Sequence, residues 1–184
     1  MSVDLFLFPD TTVVINFAVI DRLDLLTTYL SGRARMTQAV QAEVRKSALM
    51  VPHLAQFDMV ALCGPAIVLN AESDRAGVAM MRKRFAAAGD SPTKHLGESE
   101  TLYVMTSRVE FSVSRILTED RDAYRVAKAL ELLAVNTFEI FQALVARGEL
   151  DSRDAFDLLA AIEDSPYDRT LIARPTRPQD LLAS

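Results

Sequence analysis

Short apolar runs alternate with amphipathic stretches along this chain, and that alternation narrows the possible folds sharply. Leu5-Phe6-Leu7-Phe8 is a continuous apolar run stopped by Pro9-Asp10, the pattern of a strand buried on both faces. Thr11 to Ile20 then places Val13, Val14, Phe17 and Ile20 at helical spacing. Leu23 to Leu30 reads as a second helix, ended by Ser31-Gly32. Arg35-Met36-Thr37 predicts a short strand, Ala39 to Ser47 a helix, and Phe57 to Cys63 a strand bounded by Gly64-Pro65. Residues 71–88 are charged, alanine-rich and amphipathic.

The second half predicts a helix from Gly97 to about Arg108, a strand over Phe111 to Leu117, and a helix over Arg121 to Leu132. Ala134-Val135-Asn136 is a brief strand, followed by a helix to about Ala146 and another after Asp151, with Gly148 as the stop between them. Strands separated by helices of about 10–15 residues imply a parallel sheet with helices on both faces. The expected fold class is therefore α/β, a three-layer α/β/α sandwich with a mainly parallel central sheet. Residues 1–163 form its single domain. Residues 164–184, with Pro166, Pro175 and Pro178, are expected to be an irregular or only peripherally packed extension.

Composition limits the function. A chain of 184 residues that is 50% hydrophobic has enough apolar surface for one substantial core and too much for disorder. Its net charge of −5 excludes nucleic-acid binding by bulk electrostatics, so any such role must rest on a local patch or on bound cations. Cys63 is the single cysteine, and with only His53 and His95 beside it a structural zinc cluster is excluded. The first eight residues carry Asp4 and no Lys or Arg, unlike a secretory leader, and no apolar run approaches the roughly 20 residues of a membrane span. A cytoplasmic location is the expectation.

In open α/β sheets ligands bind beyond the carboxyl ends of the parallel strands. Asp10 follows the first strand, and Asp120 follows the later one in Ile116-Leu117-Thr118-Glu119-Asp120. A plain helix N-cap accounts for each one singly, since a helix follows both. Glu43 lies beside the Val40/Val44 stripe of its helix, where a solvated helix-edge carboxylate is the plain account. Glu98 and Glu100 are two apart and so face different ways. Glu98 shares its face with Leu102 and Met105, which points it toward the core; favourable placement at a helix N-terminus is the alternative. Four carboxylates near one rim, without His or Cys ligands, suit a hard cation held through oxygen, such as Mg²⁺, which polarises phosphoryl oxygens and acidifies bound water.

In their order the segments PDTTVVINFAVIDRLDLL (9–26), MTQAVQAEV (36–44), HLGESETLYVM (95–105) and ILTEDRDAYRVAKAL (116–130) resemble the PIN-domain family of metal-dependent nucleases, especially the small prokaryotic proteins similar to VapC-type toxins. The resemblance covers about residues 4–148. Pro9 before Asp10, Glu119 in the last motif and Glu98 in place of a common Asp depart from the family pattern. The resemblance implies an endoribonuclease using Mg²⁺ or Mn²⁺, with Asp10, Glu98 and Asp120 as metal ligands. It assigns Glu43 to orient or deprotonate the attacking water, and makes Thr11, Asn16, Glu100 and Thr118 supporting residues. Arg45, Arg121 and Arg125 are the candidates for holding RNA phosphates. A cognate antitoxin and a homodimer are the implied partners, the dimer face falling on Val13-Val14-Ile15 and Leu23-Leu25-Leu26 unless those residues are simply core. The competing reading is a non-catalytic PIN-like module that binds RNA or protein. A receiver-type phosphoryl-transfer domain ranks below both, since no lysine follows a suitable strand.

Overall fold

The computed structural model describes residues 5–85, 94–167 and 169–182. It is a mixed α/β chain, mostly helical. Its elements in order are β1 (Leu7–Pro9), α1 (Thr11–Val19), α2 (Leu23–Leu30), α3 (Gln38–Ser47), α4 (Pro52–Ala55), α5 (Met59–Cys63), α6 (Glu72–Arg82) and α7 (Leu96–Ser107). There follow β2 (Arg115–Leu117), α8 (Arg121–Ala129), β3 (Leu133–Val135), α9 (Thr137–Ala146) and α10 (Ser152–Glu163). Short 3₁₀ turns cover Val109–Phe111 and Pro178–Leu181.

The three strands form one all-parallel sheet in the order β1-β2-β3, with Phe8 opposite Ile116 and Ile116 opposite Ala134. Side chains alternate across it. Phe8, Ile116 and Ala134 enter one hydrophobic cluster with Leu102 and Met105 of α7 and Val126 of α8. Leu7, Leu117 and Val135 enter another, with Phe17 of α1, Val40 of α3, Phe141 of α9 and Leu159 of α10.

Several expected elements are corrected. Pro9 does not stop β1 but ends it from within, paired with Leu117. Leu7 exchanges hydrogen bonds with Arg33 and Arg35 on one side, while Phe6 and Asp10 bond β2 on the other. Alternation therefore turns the Pro9 nitrogen away from β2, where a missing N–H breaks no bond of the sheet. Arg35–Thr37 is no strand; only isolated bridges form, Ala34 to Leu7 and Thr37 to Ile67. Phe57–Cys63 is helical from Met59, because Asp58 accepts hydrogen bonds from the N–H groups of Val60 and Ala61 and caps α5. A short apolar run does not distinguish strand from buried helix, and the cap decides. The strand expected over Phe111–Leu117 shrinks to β2, since Phe111 closes a 3₁₀ turn and Ser114 bonds back to its carbonyl. The helix expected over 71–88 ends at Arg82, and residues 86–88 lie outside the described residues.

Val13, Val14, Leu25 and Leu26 are buried within the chain's own core, so those side chains are not an open dimer face. The segment after Asp164 is irregular apart from one 3₁₀ turn, yet it is tied in: Leu171 and Leu181 are buried in the same cluster as α1, α9 and α10. Among the described residues no helix is long and apolar enough to cross a membrane.

Candidate metal centre

β1 and β2 are parallel neighbours, so both deliver the residues after their carboxyl ends to one rim. Asp10 emerges from β1 almost fully buried. Its Oδ1 accepts the Thr11 N–H at 2.7 Å, and its Oδ2 accepts the hydroxyls of Thr12 at 2.9 Å and Thr118 at 3.1 Å. Thr118 also accepts the Asp120 N–H at 3.0 Å, and Thr12 accepts the Glu119 N–H at 3.0 Å. These two hydroxyls stitch the ends of β1 and β2 together. Asp120 Oδ1 caps α8 through the Ala123 N–H at 2.8 Å. Its Oδ2 makes no hydrogen bond among the described residues. Helix capping and site formation are thus compatible in both aspartates.

Helices α3 and α7 supply the other carboxylates. Glu43 Oε2 accepts the Thr11 hydroxyl at 3.1 Å. α7 approaches α3 closely at Gly97, where an added Cβ would stand 2.9 Å from Val40 Cγ2 and 3.1 Å from each Glu43 oxygen. The glycine lets the first turn of α7 reach the cluster. Glu98, one residue on, has a side chain only 12% exposed.

Burial and like charge act in one direction on these groups. Burial raises the Asp10 carboxyl above the ordinary range against its three hydrogen bonds, and the Asp120 charge adds to it. Glu43 is raised by burial and then by Asp10. Glu98 is raised to about 8, by burial first, then by the charge of Asp10, with Glu43 and Asp120 contributing. Four carboxylates from four separate segments therefore lie within one another's field in a weakly solvated site. Such a set takes up either protons or a cation.

The remaining sequence-derived residues fall in different places. Asn16 is buried and donates to the Thr137 hydroxyl at 3.0 Å; its Oδ1 accepts Arg169 Nε at 2.9 Å. Glu100 accepts the Ala39 N–H at 3.0 Å, stabilising the start of α3 from α7. Arg125 is exposed and pairs with Asp122 at 3.1 Å. Arg45 lines a separate groove of about 220 Å³ with Leu54, Phe57 and Met59. Arg121 lines a cleft of about 370 Å³ with Thr12, Glu119, Asp120 and Arg169.

Thr12, Arg169, Glu119 and His95 belong to the surroundings of the site and were not singled out as such from the sequence. Arg169 reaches in from the C-terminal segment and donates to the Thr12 carbonyl at 2.9 Å. Glu119 is buried and turned away, accepting the N–H groups of Thr137 and Ile172. His95 precedes α7, and one ligand atom each from His95, Glu98 and Asp120 lie within 4.8 Å of one another. The Thr-Glu-Asp sequence carried the only signal for Glu119. Arg169 and His95 carry no spacing signal, because their partners are distant in the chain.

Comparison of the chain with known protein families, with curated proteins and with solved structures finds no match.

Proposed function

We propose that the chain is a metal-dependent endoribonuclease built as a PIN-like three-layer α/β/α sandwich. The observation that carries this reading is the convergence of Asp10, Glu43, Glu98 and Asp120 at the carboxyl end of the parallel sheet, where burial and neighbouring charge raise the first three. The donor set fits a divalent cation: buried and partly buried oxygens of like charge, hydrogen-bonded by Thr11, Thr12 and Thr118 on one side, with no ion pair to a lysine or arginine among the described residues. Asp10, Glu98 and Asp120 would hold Mg²⁺ or Mn²⁺. When bound, the ion supplies Lewis acidity toward a phosphoryl oxygen and acidifies water.

The chain's own groups do the rest. Glu43 is raised by burial and by Asp10, so it is poised to accept a proton from the attacking water. The Thr11 hydroxyl fixes which way its carboxylate faces. Arg121 and Arg169, both lining the cleft beside Asp120, position the phosphates of the RNA. A cognate antitoxin and a homodimer are proposed on the PIN-domain resemblance alone, with the dimer face elsewhere than the buried Val13, Val14, Leu25 and Leu26.

Single-turnover cleavage of a short labelled RNA by Glu43→Gln tests the proton-acceptor role. A loss of roughly 10²–10⁴ in rate with RNA affinity retained is expected. An unchanged rate removes Glu43 from the chemistry.

A further inference from the structure

The metal-ligating atoms that the fold draws closest are not all oxygens. His95 sits at the residue before α7 with a left-handed backbone, φ 59°. Its ring stacks on Phe85 with centroids 4.9 Å apart and planes 19° from parallel, which fixes its plane. The side chain is only 8% exposed. Among the described residues neither ring nitrogen makes a hydrogen bond. Nδ1 is 3.7 Å from Glu98 Oε1, too far for one. An imidazole this enclosed, with the Glu98 carboxylate as its charged neighbour, is open to a ligand's role.

The geometry offers one. One atom each of His95, Glu98 and Asp120 lie within 4.8 Å of one another. Three atoms bound to one ion at about 2.1 Å stand roughly 3.0–3.6 Å from one another, so a pair at the 4.8 Å limit must close by about an ångström or more when the ion binds. Asp120 brings an oxygen that its capping role leaves free, and Glu98 brings one that no side chain holds. Imidazole nitrogen favours first-row transition ions, whereas Mg²⁺ prefers oxygen and water.

We propose that His95 is a nitrogen ligand, together with Glu98 and Asp120, for an ion of the Mn²⁺ class, so that the site selects such an ion over Mg²⁺. This rests on the reading of the carboxylate cluster as a divalent-cation site, and adds to it the ligand that sets the choice of metal. The other histidine, His53, is half exposed and pairs with Asp21 at 2.9 Å on the α4 side of the molecule.

The test is Mn²⁺ binding by the full chain, read by calorimetry and by pulsed electron paramagnetic resonance. The bound Mn²⁺ is expected to show coupling to a histidine nitrogen, which changes when ¹⁵N-histidine replaces the natural isotope. His95→Asn should abolish that coupling and weaken Mn²⁺ by about 10–100-fold while altering Mg²⁺ affinity far less. Mn²⁺ bound without histidine coupling overturns the ligand assignment and leaves the carboxylate site standing. Absence of Mn²⁺ binding to the wild-type protein overturns both. The isotope measurement is made on the wild-type chain, so it stands even if His95→Asn fails to fold.

Discussion

At the scale of single residues, Glu98 makes the molecule's stability sensitive to pH. Its folded carboxyl is raised to about 8, by burial and then by Asp10, from an ordinary value of 4.5. Above about pH 4.5 the unfolded chain has released this proton while the folded chain still holds it, so stability falls as pH rises toward 8. Asp10 and Glu43 are shifted in the same direction. A divalent cation substitutes for the proton. Thermal unfolding at pH 5 and pH 8, with chelator and with Mn²⁺, should show the larger metal-induced gain in Tm at pH 8. Glu98→Gln should flatten the metal-free pH dependence. A metal-free Tm that rises between pH 5 and pH 8 would contradict the assignment. Asp10, Glu98 and Asp120 were legible in the sequence because each follows a strand or opens a core-facing helix. His95 and Arg169 were not: one depends on a ring stacked on Phe85, the other on a tail folding back across more than 150 residues to Asn16.

At the scale of elements, the meeting of α3 and α7 holds Glu43 and Glu98 side by side, and Gly97 is its narrowest point. Gly97→Ala would set a methyl group against the fully buried Val40 and against both Glu43 oxygens. Overpacking of this kind costs about 1–3 kcal/mol. Denaturant unfolding should show that loss, and RNA cleavage should fall with it as Glu43 is displaced. An unchanged denaturation midpoint with full cleavage would mean that α7 does not need this approach. The helices after Asp10, Asp120, Asn136 and Asp151, and the one that holds Gly97 in its first turn, were readable from their periodicity and flanking residues. The segments that misled were short: Arg35–Thr37 and Phe57–Cys63 have apolar character without enough length to show a period. Their outcome was decided by an isolated bridge and by the Asp58 cap.

At the scale of the whole molecule, the C-terminal segment is part of the fold rather than an appendage. Leu171 and Leu181 fill the core, Ile172 donates to Glu119, and Arg169 links Asn16 to the Thr12 carbonyl beside the carboxylates. The proline content of this segment predicted its irregular backbone but hid its burial, since only two isolated leucines carry it. Leu171→Ala should cost about 2–5 kcal/mol in denaturant unfolding. Leu182→Ala, at a position 54% exposed, should change stability by no more than about 0.5 kcal/mol. Equal effects at the two positions would place the tail outside the core.

The chain's acidic balance and its buried carboxylates converge on one claim, that a divalent cation lets an anionic protein act on a polyanion. The most direct test is cleavage of a pool of labelled RNAs by the wild-type chain and by Asp10→Asn, with Mg²⁺, with Mn²⁺ and with chelator. Asp10→Asn keeps the shape of the side chain while removing the charge at the centre of the cluster. Cleavage that requires metal and disappears in the variant is the predicted result. Cleavage that persists in chelator, or equally in Asp10→Asn, would contradict the account.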